Sequence, residues 1–72
     1  MSEADKMFEE LGYKKYEYAN MLDYICTQKT MGETFHFKIS FLKTSKLIKF
    51  EQLIGMQELK AINKKCEELG WI

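Results

Sequence analysis

The stretch Thr34-Phe35-His36-Phe37-Lys38-Ile39-Ser40-Phe41 decides the fold, because apolar and polar residues alternate through all of it. A period of two places successive side chains on opposite faces of a strand. One face then carries the three phenylalanines and Ile39, and the other face carries polar residues. A strand with one apolar and one polar face is typical of an antiparallel sheet that is covered on one side.

Two further strands flank this stretch. Residues 21–28 are rich in strand-forming types, and residues 29–33 form a turn after them. Residues 43–46 form a second turn, which leads into a strand from Leu47 to about Leu53. Such short connections predict a three-stranded antiparallel meander. In the first of these strands we place Leu22, Tyr24 and Cys26 on the core side.

Each end of the chain carries the pattern of an amphipathic helix. At the N-terminal end, Ser2 is a suitable N-cap, and apolar residues recur at positions 4, 7, 8 and 11. At the C-terminal end, a helix begins after Gly55 and has apolar residues at positions 59, 62, 66 and 69. Gly12 and Gly70 end the two helices in the left-handed conformation, and an aromatic residue follows each glycine.

The predicted fold class is α+β, with the order helix, three-stranded antiparallel meander, helix, in one small domain that spans residues 1–72. Both helices pack on one face of the sheet, because only one face is strongly apolar. In addition to the three inward residues of the first strand, the predicted core consists of Met7, Phe8, Leu11, Phe35, Phe37, Ile39, Phe41, Ile48, Phe50, Leu59, Ile62, Cys66 and Leu69.

The chain shows no pattern of an enzyme, a cofactor site or a metal site. A core this small leaves no room for a deep pocket of roughly 300 Å³. His36 is the single histidine, and Cys26 and Cys66 are separate cysteines that we interpret as small, reduced, buried residues. Nothing at the N-terminus resembles a signal peptide, and no apolar run approaches the length of a membrane span.

The charge is balanced over the chain but uneven along it. The formal net charge is zero, and all eleven basic residues are lysines. The absence of arginine disfavours sequence-specific reading of DNA. Residues 29–49 are nevertheless basic, and their candidate nucleic-acid surface consists of His36, Lys38, Lys43, Lys46 and Lys49. The alternative is that these lysines protect exposed strands from edge-to-edge pairing.

Tyrosines are concentrated at positions 13, 16, 18 and 24. Tyrosine is enriched at protein interfaces because it combines a rigid apolar ring with a polar hydroxyl group. We therefore take Tyr16, Tyr18 and Trp71 as the candidate partner surface. The alternative is that the rings cover a thin core, and a protein with no net charge is also free to self-associate.

Both ends of the chain carry a resemblance to known sequences. Residues 1–13 (MSEADKMFEELGY) with 15–17 (KYE), and residues 56–71 (MQELKAINKKCEELGW), resemble the ends of small phage- and prophage-encoded proteins of Gram-positive bacteria. The resemblance implies a phage-derived protein that works in the bacterial cytoplasm. That group has no assigned activity, so the resemblance implies no catalytic residues.

Small size, missing catalytic motifs and surface tyrosines together predict a function in binding. The first hypothesis is a non-enzymatic accessory protein that binds another protein or itself. The alternative hypothesis is a weak nucleic-acid-binding protein that uses the lysine-bearing sheet face.

Overall fold

The computed structural model describes residues 2–72, in which two helices accompany a four-stranded antiparallel sheet. Met1 of the predicted domain lies outside the described residues. The strands follow one another across the sheet in chain order. The elements are α1 (Glu3–Glu10), β1 (Lys14–Glu17), β2 (Met21–Thr30), β3 (Glu33–Leu42), β4 (Leu47–Phe50) and α2 (Met56–Glu68).

The meander has four strands, so the predicted number of three is wrong. The additional strand is β1, which pairs antiparallel with residues 22–25 of β2. Its four residues are all exposed and three of them are charged, so no alternation of apolar and polar residues marks it in the sequence. The last strand is shorter than predicted, because β4 ends at Phe50 rather than near Leu53.

Both helices end as the glycine pattern predicts. In α1, Gly12 has φ 92°, and the Tyr13 amide donates to the Phe8 carbonyl oxygen at 2.9 Å. In α2, the Trp71 amide donates to the Cys66 carbonyl oxygen at the same distance. These bonds are those of the Schellman motif. At the start of α1, the Ser2 hydroxyl accepts from the Asp5 amide at 3.0 Å, as the N-cap prediction requires.

The core lies between the sheet and the two helices, which occupy the same face. Phe8 of α1 is fully buried and stacks on Tyr24 of β2, with 3.9 Å between ring centroids. Phe41 of β3 meets both rings edge-on. From α2, Ala61, Ile62 and Cys66 complete the cluster. The inward placement of Leu22, Tyr24 and Cys26 is confirmed, since all three are buried.

Three residues of the predicted core are exposed, and their placement in the core is therefore wrong. Phe35 is 44% exposed, Phe50 45% and Leu59 41%. Phe35 follows the predicted alternation, but it lies where β2 and β3 extend beyond the helices. The prediction also missed Tyr13, which is buried edge-on against Phe8.

The distal half of the β2–β3 hairpin is a two-stranded ribbon. β1 pairs with β2 only at residues 22–25, and β4 pairs with β3 only at residues 39–42. Residues 27–36 are exposed throughout. A two-residue turn closes the ribbon, and Met31 and Gly32 both have positive φ angles of 53° and 82°, as in a type I′ turn.

Candidate binding surface

The sheet face opposite the helices is uncovered, and we call it the outer face. Strand pairing aligns Tyr16, Asp23, Ser40 and Lys49 in one row across all four strands of this face. Their chain neighbours Leu22, Tyr24, Ile39 and Phe41 point to the core. The outer face therefore places a carboxylate and a hydroxyl at its centre, between an aromatic ring and an ammonium group.

Asp23 is the unusual member of this row. Its side chain is only 4% exposed, although it lies on the sheet face opposite the helices. Within residues 2–72, the Oδ1 atom is buried without a hydrogen-bond partner, and Oδ2 lies 3.5 Å from the Lys38 Nζ atom. A buried acceptor left without a donor costs about 1–3 kcal/mol. This unpaired oxygen therefore lowers the free energy of unfolding of the isolated domain.

Apolar and aromatic side chains surround this carboxylate. Tyr16 is 44% exposed, and Met21, Ile25 and Leu42 are half-buried on the same face. Tyr18 lies just beyond β1, where its amide donates to the Met21 carbonyl oxygen at 2.8 Å. The outer face thus has a polar centre with apolar and aromatic side chains around it, the reverse of the apolar core and polar rim of most interfaces. Its exposed tyrosine does match the enrichment of aromatic residues at interfaces.

The structure brings together three of the five residues of the candidate nucleic-acid surface. His36, Lys38 and Lys49 are on the outer face. Lys43 instead forms an ion pair with Glu17, with 3.0 Å between Nζ and Oε2, and its Nζ also donates to the Tyr18 carbonyl oxygen.

The fifth residue, Lys46, lies in the β3–β4 turn and has a φ angle of 58°. It therefore belongs to the connection between the strands rather than to the row of the outer face.

The candidate partner surface is also divided between the two sides of the sheet. Tyr16 and Tyr18 belong to the outer face and its margin. Trp71 lies on the helix side, where its ring packs at 6.1 Å from the ring of Phe41 and is only partly exposed. Sequence reasoning missed Asp23 and Ser40. The one sequence signal for Asp23 is an acidic residue in the middle of an otherwise apolar, strand-forming run.

A groove of about 620 Å³ adjoins the outer face where β4 ends and β3 continues. Phe35, Phe37 and Phe50 line it on the core side of the sheet, and Lys38 and Lys49 line it on the outer side. The groove is not carved from the core, because it follows from the unequal lengths of two neighbouring strands.

A second polar cluster lies on the helix side, around Asp5. Its carboxylate accepts hydrogen bonds from the Tyr24 hydroxyl, from Lys15 Nζ at 3.0 Å and from Lys65 Nζ at 3.3 Å. Burial raises the pKa of Asp5, but these hydrogen bonds and lysine charges outweigh it and lower the pKa to about 2. The same cluster raises the pKa of Tyr24, through burial and the Asp5 carboxylate. It joins α1 to β1, β2 and α2.

Within residues 2–72, no group of three or more His, Cys, Asp or Glu is placed to hold a metal ion. In the same described range, neither helix has the length and apolar character needed to cross a membrane. Cys26 and Cys66 are buried free thiols, and burial raises the pKa of Cys66.

The fold and the outer face define a small α+β domain with an open sheet. No known family model, no curated protein and no solved structure matches this chain.

Proposed function

We propose that this protein is a non-enzymatic accessory protein of phage or prophage origin, which acts in the bacterial cytoplasm by binding another protein through its outer face. The observation that carries the proposal is Asp23, a buried carboxylate on the sheet face opposite the helices, with an oxygen that has no hydrogen-bond partner among the described residues. A partner that brings a donor to this oxygen removes the cost that the isolated domain bears.

The rim of the outer face supports the same function. Tyr16 and Tyr18 offer large exposed rings, and such rings contribute strongly at protein interfaces with little loss of side-chain entropy. Leu47 is 58% exposed at the end of the same face. Asp23 is already shielded from water within the domain, and a hydrogen bond from a partner's donor is stronger in such surroundings than in water.

Nucleic acid is the second candidate ligand, and one observation favours it. His36, Lys38 and Lys49 are on one face, and strand pairing places Lys14 there too. Binding through these groups would be weak and would fall steeply as salt increases. This hypothesis is tested by fluorescence anisotropy with labelled single-stranded and duplex DNA and RNA at low and high salt. Binding with an affinity that does not change with salt would rule the hypothesis out.

Replacement of the rim tyrosines tests the protein-binding proposal. We expect Tyr16→Ala and Tyr18→Ala each to weaken partner binding by about 1–2 kcal/mol while the domain stays folded, because both rings are about half exposed. Trp71→Ala is the contrasting variant, and it should lower the free energy of unfolding because the ring packs on Phe41.

The measurement is capture of partners by the tagged protein from nuclease-treated lysate of the organism that encodes it, followed by mass spectrometry and titration of the captured protein. Circular dichroism reports whether each variant is folded. The proposal is wrong if the wild-type protein captures no stoichiometric partner, or if both folded tyrosine variants bind the partner as tightly as the wild type.

A further inference from the structure

The edge of β3 is free along the distal ribbon. β4 pairs with residues 39–42 of β3 and stops there. Within residues 2–72, no backbone hydrogen bond joins residues 33–38 to the segment that follows β4. Exposed strand edges offer unpaired N–H and C=O groups to any extended chain.

The turn of the ribbon determines which backbone groups are free. Because the turn has two residues, Thr30 and Glu33 close it as a hydrogen-bonded pair. The pattern then alternates along β3, so that Thr34, His36 and Lys38 direct their N–H and C=O groups away from β2. An added strand would hydrogen-bond to these three residues.

The two sides of this edge differ in chemistry. On the core side, the groove is apolar, with Phe35 and Phe50 each nearly half exposed. On the outer side, His36 and Lys38 are on the edge itself, and Lys49 of β4 is close by. Glu51 is the one carboxylate among the residues that line the groove.

We propose that the β3 edge binds an extended segment of the partner protein by strand addition, and that this segment alternates acidic and apolar residues. Residues paired directly opposite His36 and Lys38 share the outer face with them, so acidic side chains there lie near the positive charges of Lys38 and Lys49. The residues between them point to the core side of the sheet, into the groove lined by Phe35, Phe37 and Phe50. This inference rests on the proposed protein-binding function and names the chemistry of the partner.

Two other occupants fit the edge less well. A second copy of β3 would bring its own Lys38 to the outer face, which adds positive charge where this edge already carries it. Nucleic acid has no strand backbone to pair with the free N–H and C=O groups, and its phosphates would leave the apolar side of the groove empty. Both remain outcomes of the test.

The first test uses a capped synthetic hexapeptide of alternating glutamate and valine, titrated into the 15N-labelled protein. We expect the amides of Thr34, His36 and Lys38 to shift and to become protected from hydrogen exchange. The amides of Thr27 and Lys29, which point to the opposite edge of the ribbon, should remain unprotected. A hexapeptide with lysine in place of glutamate should bind at least about tenfold more weakly.

A matched pair of proline variants isolates the edge. Proline removes the N–H group and blocks strand addition only at the edge that this group faces. His36 and Thr27 are cross-strand partners whose amides face opposite edges, and either variant loses the 3.2 Å hydrogen bond between their side chains. We therefore expect His36→Pro to abolish peptide binding, whereas Thr27→Pro retains it.

Each contrary outcome has a defined meaning. Equal loss in both proline variants, equal binding of the lysine peptide, or no shifts at about 2 mM peptide overturns the inference. Displacement of the peptide by labelled DNA, or a dimer in light scattering that His36→Pro removes, also overturns it. If His36→Pro still captures the lysate partner while Tyr16→Ala does not, strand addition at the β3 edge is wrong, but the proposed protein-binding function stands.

Discussion

Asp5→Ala should lower the free energy of unfolding by about 3–5 kcal/mol. The carboxylate accepts hydrogen bonds from Tyr24, Lys15 and Lys65, and the Lys65 side chain is only 8% exposed. Without Asp5, the buried ammonium of Lys65 keeps Glu68, at 3.6 Å, as its one ion-pair partner within residues 2–72. A domain of this length has a net stability of about 3–5 kcal/mol, so the variant should be largely unfolded at 25 °C.

Urea denaturation followed by the fluorescence of Trp71 measures this effect. Glu3→Ala is the matched control, because Glu3 lies in the same first turn of α1 and its ion pair with Lys64 is exposed. Exposed pairs contribute about 0–1 kcal/mol. If Asp5→Ala loses no more stability than Glu3→Ala, the cluster around Asp5 does not hold the helices to the sheet.

Acid should destabilise the protein through the same carboxylate. The pKa of Asp5 is about 2 in the folded chain, against an ordinary value of 3.8. Because the folded value is the lower one, the contribution of Asp5 is complete above pH 3.8 and is lost as the pH falls towards 2. It amounts to about 2 kcal/mol. The free energy of unfolding of Asp5→Asn should therefore fall less than that of the wild type between about pH 5 and pH 2.

Most of the fold could be predicted because local patterns agreed with the tertiary structure. The alternation in β3, the N-cap at Ser2 and the two glycine helix ends all depend on residues that are close together in the sequence, so their pattern can be read from it. β1 could not be predicted, because its charged residues adopt a strand only by pairing with β2. The exposure of Phe35 could not be predicted either. Its place on the core side of β3 follows from the alternation, but whether a helix covers it depends on the tertiary structure.

The candidate site was only partly predictable. Exposed tyrosines and lysines can be recognised from their type, and Tyr16, His36, Lys38 and Lys49 do share the outer face. Asp23 could not be recognised, because a polar residue on the polar face of a sheet is expected to be exposed to solvent. It is buried because the longer side chains around it cover a short one, and that depends on strand register rather than on residue type.

Asp23→Thr should make the isolated domain more stable and make the protein a poorer binder. Removal of the unpaired buried oxygen recovers about 1–3 kcal/mol, and threonine suits a strand better than aspartate does. The lost ion pair costs little, because the Lys38 side chain is 55% exposed. The expected net gain in the free energy of unfolding is about 1–2 kcal/mol.

Partner binding should weaken at the same time by about 2 kcal/mol or more, which is about thirtyfold in the dissociation constant. Urea denaturation and titration of the captured partner measure the two effects on one preparation. Asp23→Asn is the control, since it keeps the shape of the side chain and removes its charge, and it should also bind weakly if the partner supplies a cationic donor. A less stable Asp23→Thr would mean that the carboxylate is satisfied within the fold. If Asp23→Thr is more stable but binds the partner unchanged, the interface does not include the centre of the outer face.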